Sequence, residues 1–273
     1  MTMNASEFQR RYGPWAVIAG ASEGIGQAYA HALAERGINL ITFARRAEVL
    51  EGDAQIIRER HGVEVRPVAI DLAAADLAER FDAATAGVDV GLLVYNACYS
   101  SIGKFVDVPL DDHLRTLDVN CRGPITLGQR LAPRLIARGR GGILLMSSMS
   151  GFQGSAMISS YAATKAFNTV LAESLWVELR PHGVDVLGCI AGATTTPSFE
   201  SSTPDAKKHK AMPMSPTAVA REGLAALGTG PLHITGRLNR LVNAVSRVMT
   251  RRQRTAFFSS ATQDIYDTTR GSA

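Results

Sequence analysis

Tyr161 and Lys165 are the residues of this sequence best suited to proton transfer. They stand four positions apart in a helical pattern, so both side chains would lie on one helix face. A free phenol has a pKa of about 10, and half ionisation near neutral pH requires roughly 4 kcal/mol of extra phenolate stabilisation. A neighbouring ammonium group supplies part of it. The pair is therefore a candidate general acid or base, although the same spacing also occurs in ordinary helix surface pairs.

Two other polar residues could complete such a centre. Ser148 follows an apolar run, thirteen positions before the tyrosine, and its hydroxyl could donate a hydrogen bond to a carbonyl and share the oxyanion. Ser147 and Ser150 are rivals, and a turn or cap is the alternative role for any one serine. Asn120 lies within a predicted long helix, where asparagine is a mediocre former, so its amide could hold a water molecule against Lys165.

A glycine-rich turn points to a nucleotide. Gly20, Gly24 and Gly26 stand between an apolar run and a helical pattern, where missing side chains let backbone amides and a helix N-terminus approach a pyrophosphate. Structural turns can share this pattern, but its place in the first strand-to-helix junction favours nucleotide binding. The turn adds three candidate cofactor contacts: Ser22, Glu23 and Ile25.

The end of the second predicted strand discriminates between nicotinamide cofactors. A carboxylate there would accept hydrogen bonds from the ribose of NAD, but the sequence has Arg45 and Arg46, which could bind the 2′-phosphate of NADP. NADP is therefore favoured. The alternative is a solvated arginine pair, and Glu23 and Glu48 are acids close to this point.

The next two strand ends carry further candidate cofactor contacts. Asp71 and Leu72 follow the third predicted strand, where a carboxylate could accept a hydrogen bond from an adenine amino group. Asn96 and Ala97 follow the fourth. Either polar residue could equally form no more than a local turn.

These residues require a scaffold of alternating strands and helices. Six apolar runs predict strands at Trp15–Ala19, Ile38–Ala44, Val65–Ile70, Val88–Tyr95, Gly142–Ser147 and Val184–Ile190, with a short seventh at Leu232–Thr235. Helical patterns separate them, including one long helix over Asp111–Arg138. The order predicts a single-domain α/β fold with a doubly wound parallel sheet of Rossmann type, whose ligands bind beyond the carboxyl ends of the strands.

Composition narrows the function classes. The 273 residues are 46% hydrophobic, enough for one substantial core, and no apolar run approaches the roughly 20 residues of a spanning helix. The polar N-terminus lacks the order of a secretory signal, which predicts a cytoplasmic protein. Cys98, Cys121 and Cys189 suit buried, reduced thiols. Neither they nor the histidines show metal-ligand spacing, so we expect no metal site.

Taken together, these pieces resemble the short-chain dehydrogenase/reductase family in its shorter, classical form. The matching motifs run in the family's order over about residues 13–236: A-G-A-S-E-G-I-G at 19–26, D-L at Asp71, N-A at Asn96, Asn120, S-S at Ser147, Y-x-x-x-K at Tyr161 and A-G-A-T-T-T at 191–196. The resemblance implies that Tyr161 transfers the proton, Lys165 lowers its pKa and binds the nicotinamide ribose, and Ser148 orients a carbonyl. It also implies that Asn120 anchors a relay water.

The same resemblance implies further cofactor contacts and exposes departures. Gly192, Thr194 and Thr196 would line the nicotinamide and diphosphate, and the Arg45 strand end is similar to that of NADP-using members. The family usually has Thr, Gly and Pro where this chain has Ala19, Cys98 and Ala191. We expect these changes to alter stability or cofactor affinity and to leave the chemistry intact.

Two segments lie beyond the motifs. Residues of about 198–216, with Phe199, Met212 and Met214, resemble the family's variable substrate lid and are compatible with a hydrophobic substrate or with local packing. Residues 237–273 form an extension beyond the 1–236 catalytic domain. Six arginines surround an apolar stripe in its first part, which predicts one basic amphipathic helix. It could pack on the core or a neighbouring subunit, or lie on an anionic membrane. Nucleic-acid binding is less favoured, because aromatic interleaving is missing.

The sequence thus predicts an NADP-dependent enzyme that interconverts a carbonyl and an alcohol, in a homo-oligomer of the kind common in the family. The alternatives are an NADP-binding regulator without turnover, and a membrane or nucleic-acid adaptor that acts through the arginine-rich helix. The family acts on many carbonyl compounds, so substrate, stereochemistry and direction stay open.

Overall fold

The fold is described by a computed structural model that covers residues 3–208 and 212–266. Its strands are β1 (Trp15–Ala19), β2 (Asn39–Ala44), β3 (Val65–Ala69), β4 (Val90–Tyr95), β5 (Gly141–Ser148), β6 (Val184–Ala191) and β7 (Leu232–Ile234). The helices are α1 (Ala5–Tyr12), α2 (Gly24–Ala34), α3 (Ala47–His61), α4 (Leu77–Ala84), α5 (Leu110–Leu117), α6 (Gly123–Arg138), α7 (Ser159–Leu179), α8 (Pro197–Ser202), α9 (Asp205–Lys208), α10 (Pro216–Ala226), α11 (Arg237–Ser246) and α12 (Arg251–Tyr266). Residues 209–211 of the predicted lid and 267–273 of the extension lie outside the described residues.

The strands form one parallel sheet in the order β3-β2-β1-β4-β5-β6-β7. In register, Val17 of β1 pairs with Ile41 of β2 on one side and with Leu93 of β4 on the other. The order reverses between β1 and β4, which is where sheets of this kind bind ligands beyond the strand ends. The predicted doubly wound Rossmann-type sheet is thus confirmed, with strand limits shifted by only one or two residues.

Side chains of the central strands alternate between two cores, one on each face of the sheet. Ile18, Val94 and Leu144 pack on the face covered by α2 and α10. Their neighbours Val17, Leu93 and Ile143 pack on the face that α6 and α7 cover. Because successive strand residues point to opposite faces, burial on both faces requires the continuous apolar runs seen in the sequence.

The predicted long helix over 111–138 is not regular. The α5 and α6 helices are joined by a π-helical turn at Asp118–Arg122, in which the Gly123 amide bonds to the carbonyl of Asp118. Pro124 has no N–H to give the carbonyl of Asn120, its partner in α-helical spacing. The turn therefore widens the helix at Asn120, and π-turns of this type are frequent at functional sites.

The prediction of one basic helix after residue 237 is also wrong in detail. The chain breaks between α11 and α12, because Thr250 starts a new helix with a capping box: its hydroxyl accepts the Gln253 amide, and the Gln253 side chain accepts the Thr250 amide. Phe257 and Phe258 therefore lie inside α12. None of the helices in residues 3–208 and 212–266 has the length and apolar character needed to cross a membrane.

Helix α7 is fixed on β5 by buried polar contacts as well as by apolar packing. The Ser147 hydroxyl of β5 donates to the carbonyl of Lys165 at 2.7 Å and lies 2.8 Å from the hydroxyl of Thr169. Both partners belong to α7, and Ser147 itself is buried. This contact sets the distance between the strand that ends in Ser148 and the helix that carries Tyr161.

Replacing Ser147 by alanine should therefore destabilise the protein. We expect a loss of about 1–2 kcal/mol in the free energy of unfolding, because a buried hydroxyl that bonds two α7 groups disappears. Urea unfolding measures the effect. The matched control is Ser174→Ala, whose hydroxyl bonds the Val170 carbonyl on the exposed side of α7; it should change stability by less than about 0.5 kcal/mol. Equal unfolding midpoints for the two variants would contradict the prediction.

Candidate active site

The candidate catalytic residues meet at the carboxyl edge of the sheet. Ser148 ends β5, and Tyr161 lies in the first turn of α7, which packs against β5. Lys165 follows one helical turn later and is only 3% exposed. Its ammonium nitrogen donates to the carbonyl of Met146 at 3.0 Å and lies 5.7 Å from the centre of the Tyr161 ring. The predicted pairing of amine and phenol on one helix face is present.

The Tyr161 side chain is half-buried at the edge of the site. Burial raises its pKa above the ordinary value, and the nearby Cys98 thiol adds to the rise, while a hydrogen bond from Ser148 acts in the opposite direction. Burial is the largest influence on this pKa, and the expectation that Lys165 lowers it stays a prediction. A raised pKa favours the neutral phenol, which is the form that donates a proton.

The three candidate serines make different contacts. Ser148 hydrogen-bonds the Tyr161 phenol and accepts the amide of Ser150 at 3.2 Å. Ser147 points the other way, into the contact with α7 described above. Of these hydroxyls, that of Ser148 is thus the one beside the phenol, and its neighbours serve the strand and the turn that hold it.

Asn120 is a fully buried brace between three segments. Its side-chain oxygen accepts the Tyr99 amide at 2.8 Å, and its amide nitrogen donates to the Tyr99 carbonyl at 2.8 Å and to the Thr164 hydroxyl at 3.0 Å. The Thr164 hydroxyl in turn donates to the carbonyl of Tyr161. Both side-chain N–H groups are used, so a water between Asn120 and Lys165 would donate either to the second lone pair of the side-chain oxygen or to the Asn120 backbone carbonyl, which Pro124 leaves without its α-helical donor.

The glycine turn is shaped as a backbone cradle. A Cβ on Gly26 would lie 1.9 Å from the carbonyl oxygen of Gly20, and one on Gly20 would lie 2.6 Å from the Cα of Ala97. The side chain of Asn96 donates to the Gly20 carbonyl at 3.0 Å and so ties the turn to the end of β4. Ser22, Glu23 and Ile25 complete the turn at the start of α2. These glycines allow the tight turn and the close packing of α2 on β1, which is the geometry that presents backbone amides and a helix N-terminus to the pyrophosphate of a dinucleotide.

The two arginines after β2 have different surroundings. Arg46 pairs with Glu23 across the glycine turn and also donates to the Ser22 hydroxyl at 3.3 Å. Arg45 is exposed, and among the described residues no carboxylate pairs with it. Arg45 is thus the guanidinium free to take a phosphate, whereas Arg46 would first have to leave Glu23.

The residues after β3 form a local turn with an ion pair. Asp71 accepts the Ala73 amide at 3.0 Å and a hydrogen bond from Arg115 at 2.7 Å. Burial opposes ionisation, but these two donors outweigh it and hold the pKa of Asp71 below its ordinary value. Each carboxylate oxygen keeps a free lone pair for an adenine amino group. The side chain of Leu72 is buried in the core, so only its backbone could contact a nucleotide.

The loop after β6 closes over the glycine turn. A Cβ on Gly24 would lie 2.9 Å from the Thr196 methyl group, and one on Gly192 would lie 2.5 Å from the side chain of Asn239 in α11. Thr196 caps α8 through the Phe199 amide, and the buried Thr194 forms a bridge with Met214. The predicted nicotinamide loop is therefore braced by the lid on one side and by α11 on the other.

The positions that depart from the family pattern lie around this site. Ala19 and Ala191 are buried strand ends. Cys98 is exposed, contrary to the expectation of a buried thiol. Its thiol lies close enough to the phenol to raise the pKa of Tyr161.

The lid residues divide between exposure and packing. Met214 packs against the core, Phe199 is half-buried, and Met212 is exposed. The apolar members thus serve both roles that the sequence left open.

Helix α12 also reaches this edge, which periodicity did not foresee. Arg251 donates to the Phe152 carbonyl at 3.2 Å, and the Ser259 hydroxyl accepts the amide of Ala156 at 3.1 Å. At the end of α12, the Tyr266 phenol lies beside the hydroxyls of Ser202 and Thr203, where α8 ends. The turn between Ser148 and Tyr161 and the lid are therefore both in contact with α12.

Comparisons with known proteins agree with this geometry. The model of the short chain dehydrogenase family matches residues 14–207. The 7beta-hydroxysteroid dehydrogenase of Clostridium sardiniense is 35% identical over 233 residues, which cover 85% of this chain and 89% of the relative. The very-long-chain 3-oxoacyl-CoA reductase of Homo sapiens is 30% identical over 224 residues, covering 81% and 72%.

Solved structures show the same relationship. A structure studied for 7beta-hydroxysteroid dehydrogenase stereoselectivity superposes with a TM-score of 0.87 at 31% identity and covers 94% of this chain and 99% of its own. A short-chain dehydrogenase from Sphingobium yanoikuyae in complex with NADPH superposes with a TM-score of 0.75 at 29% identity, covering 87% and 95%. With its glycine cradle and the serine, tyrosine and lysine at one sheet edge, the chain belongs to the short-chain dehydrogenase family of oxidoreductases.

Proposed function

We propose that this protein is an NADP(H)-dependent oxidoreductase that interconverts a carbonyl and an alcohol, with Tyr161 as the general acid or base. The observation that carries the proposal is the group formed by Ser148, Tyr161 and Lys165, placed beside a nucleotide cradle at the carboxyl edge of the sheet. A neutral phenol hydrogen-bonded to a serine hydroxyl provides two O–H groups for one substrate oxygen. The nicotinamide, when bound, supplies or accepts the hydride.

The proton transfer rests on the chain's own residues. In the reducing direction, Ser148 and Tyr161 both donate hydrogen bonds to the carbonyl oxygen, and the phenol proton moves to that oxygen as its negative charge develops. The ammonium group of Lys165, held by the Met146 carbonyl, stabilises the phenolate that remains. In the oxidising direction, the phenolate takes the alcohol proton. Asn120 keeps the Tyr99 segment and the start of α7 at a fixed distance during both steps.

Arg45 supports the choice of NADP. It follows β2 at the place where the adenosine ribose binds in doubly wound folds, and it is free to form charge-assisted bonds to a 2′-phosphate. Among the similar structures, the Sphingobium yanoikuyae dehydrogenase was solved in complex with NADPH. The pairing of Glu23 with Arg46 neutralises the acid that would otherwise repel such a phosphate.

A hydrophobic carbonyl compound suits the site best. The names of the two relatives refer to a hydroxysteroid and a very-long-chain 3-oxoacyl thioester, both of which carry a large apolar body. The half-buried Phe199 and the exposed Met212 of the lid provide apolar contact area at the same edge. We therefore extend the proposal to a large ketone or its alcohol as substrate.

An exposed apolar surface supports a homo-oligomer. The helices α5, α6 and α7 pack side by side and expose a set of large apolar side chains: Leu110, Leu114, Leu117, Ile125, Val170 and Val177. Patches of this kind mark protein interfaces in otherwise polar surfaces. We propose that a second copy of the chain covers them.

Replacing Tyr161 by phenylalanine should abolish most turnover and spare cofactor binding. The ring still packs, but the proton donor is lost, so we expect kcat to fall about 10²–10⁴-fold with NADPH and a panel of steroid ketones and 3-oxoacyl thioesters. The Kd for NADPH, measured by fluorescence titration, should stay within about twofold. An unchanged rate would place the proton donor elsewhere. If the parent chain binds NADPH but turns over nothing in the panel, it is a regulator instead of an enzyme.

Arg45 should set the preference for NADPH over NADH. For Arg45→Ala we expect NADPH binding to weaken about tenfold or more and NADH binding to change little, because a charge-assisted contact to the 2′-phosphate disappears. Isothermal titration measures both affinities. Arg140→Ala, which removes an exposed arginine beside the amino end of β5, is the control and should leave both affinities unchanged. Equal affinities of the parent protein for NADPH and NADH would contradict the proposed preference for NADP.

The pH dependence should differ between the two directions. A raised pKa keeps Tyr161 protonated through neutral pH, so kcat for carbonyl reduction should be level there and fall only in the alkaline range. Alcohol oxidation needs the phenolate, and its kcat should rise with pH over the same range. Steady-state profiles in both directions test this. The ordinary pKa of a tyrosine is about 10. A reduction rate that falls as the pH rises from 6 to 8 would therefore contradict a neutral phenol at Tyr161.

A further inference from the structure

The inward side of helix α11 is mostly polar, with Val242 as the one half-buried apolar residue of 237–248. Asn239, Asn243 and Ser246 are partly or fully buried, and the side chain of Asn239 lies against Gly192. The residues of 237–248 that are exposed form what we term the outer face of α11: Arg237, Leu238, Arg240, Leu241, Ala244, Val245, Arg247 and Val248. This face contains apolar residues and arginines only. A helix whose outer face remains in water normally turns its apolar side towards the core and its polar side outwards. The outer face of α11 has the reverse arrangement and therefore requires a partner.

The apolar residues of this face are strongly exposed. Leu241 is 60%, Val245 59% and Val248 87% exposed. They stand at spacings of four and three residues, so they share one side of the helix. The apolar stripe predicted from the sequence is present, but most of its residues face away from the protein core, which was one of the surfaces that it could have covered.

The charge on the same surface is positive and mostly unpaired. Arg240 pairs with Glu222 at 3.1 Å, but within residues 3–208 and 212–266 no carboxylate pairs with Arg237 or Arg247. Asp264 is the one acid between 237 and 266, against six arginines. Burial, followed by repulsion from Arg251 and Arg247, lowers the pKa of Arg254.

We propose that the outer face of α11 is a docking surface for an anionic lipid bilayer. Apolar side chains flanked by arginines match both components of such a membrane: the side chains enter the acyl boundary, and the guanidinium groups bind lipid phosphates. A second copy of this chain fits less well, because a symmetric contact would bring two arginine clusters together. Nucleic acid would leave the apolar side chains in water.

Vesicle sedimentation with the full chain tests the proposal. We expect the protein to sediment with vesicles of phosphatidylcholine and phosphatidylglycerol in a 3:1 ratio, and not with pure phosphatidylcholine at the same lipid concentration. Arg237→Gln/Arg247→Gln should weaken partitioning roughly 30-fold at low salt. Leu241→Gln/Val248→Gln should weaken it at least about tenfold, because two apolar side chains no longer enter the bilayer.

The matched controls replace the same number of arginines and of apolar residues at exposed positions outside α11. Arg10→Gln/Arg140→Gln lowers the net charge equally with exposed arginines beside the amino ends of β1 and β5, and Val49→Gln/Ile56→Gln alters exposed apolar residues of α3. Both should bind like the parent, and circular dichroism melting checks folding. No sedimentation with the anionic vesicles, or equal losses in controls and test variants, overturns the proposal. The proposal is also overturned if light scattering shows an oligomer of the parent protein that Leu241→Gln/Val248→Gln dissociates, while the parent protein does not bind lipid. Enzyme activity enters none of these readouts, so the result is independent of the proposed reaction.

Discussion

The contact between β5 and α7 is the constraint on which the site depends. The strand ends in Ser148, the helix begins just before Tyr161, and Ser147 joins the two through the Lys165 carbonyl. The ammonium group of the same lysine reaches back to the Met146 carbonyl. One lysine thus bonds the strand with both its backbone and its side chain, so its position relative to the phenol is set on two sides.

Buried polar groups repeat this arrangement further along the sheet edge. Asn120 binds both backbone groups of Tyr99, and Asn96 binds the Gly20 carbonyl, so two loops without regular structure are held by amide side chains. The buried Asn120 keeps its geometry because each lost hydrogen bond would leave a buried group unsatisfied. A site built on loops gains in this way the rigidity of the strands beside it.

The sequence was sufficient to predict the sheet, because strands buried on both faces must be continuously apolar. It was also sufficient to predict which residue types stand at the strand ends, because the motifs place them there. It was insufficient where tertiary contacts decide. Periodicity shows that α11 has an apolar side but not which side faces the core, and composition cannot show that burial raises the pKa of Tyr161. The break before α12 was accessible, since Thr250 and Gln253 have the spacing of a capping box. The π-turn had a weaker signal in Pro124.

The contacts of α12 have a mechanical consequence. The first half of the helix is bonded to the turn that precedes Tyr161, through Phe152 and Ala156, and Tyr266 at its other end lies beside the start of the lid. Both segments therefore rest on one helix, so a substitution that displaces α12 shifts the turn before Tyr161 and the lid together.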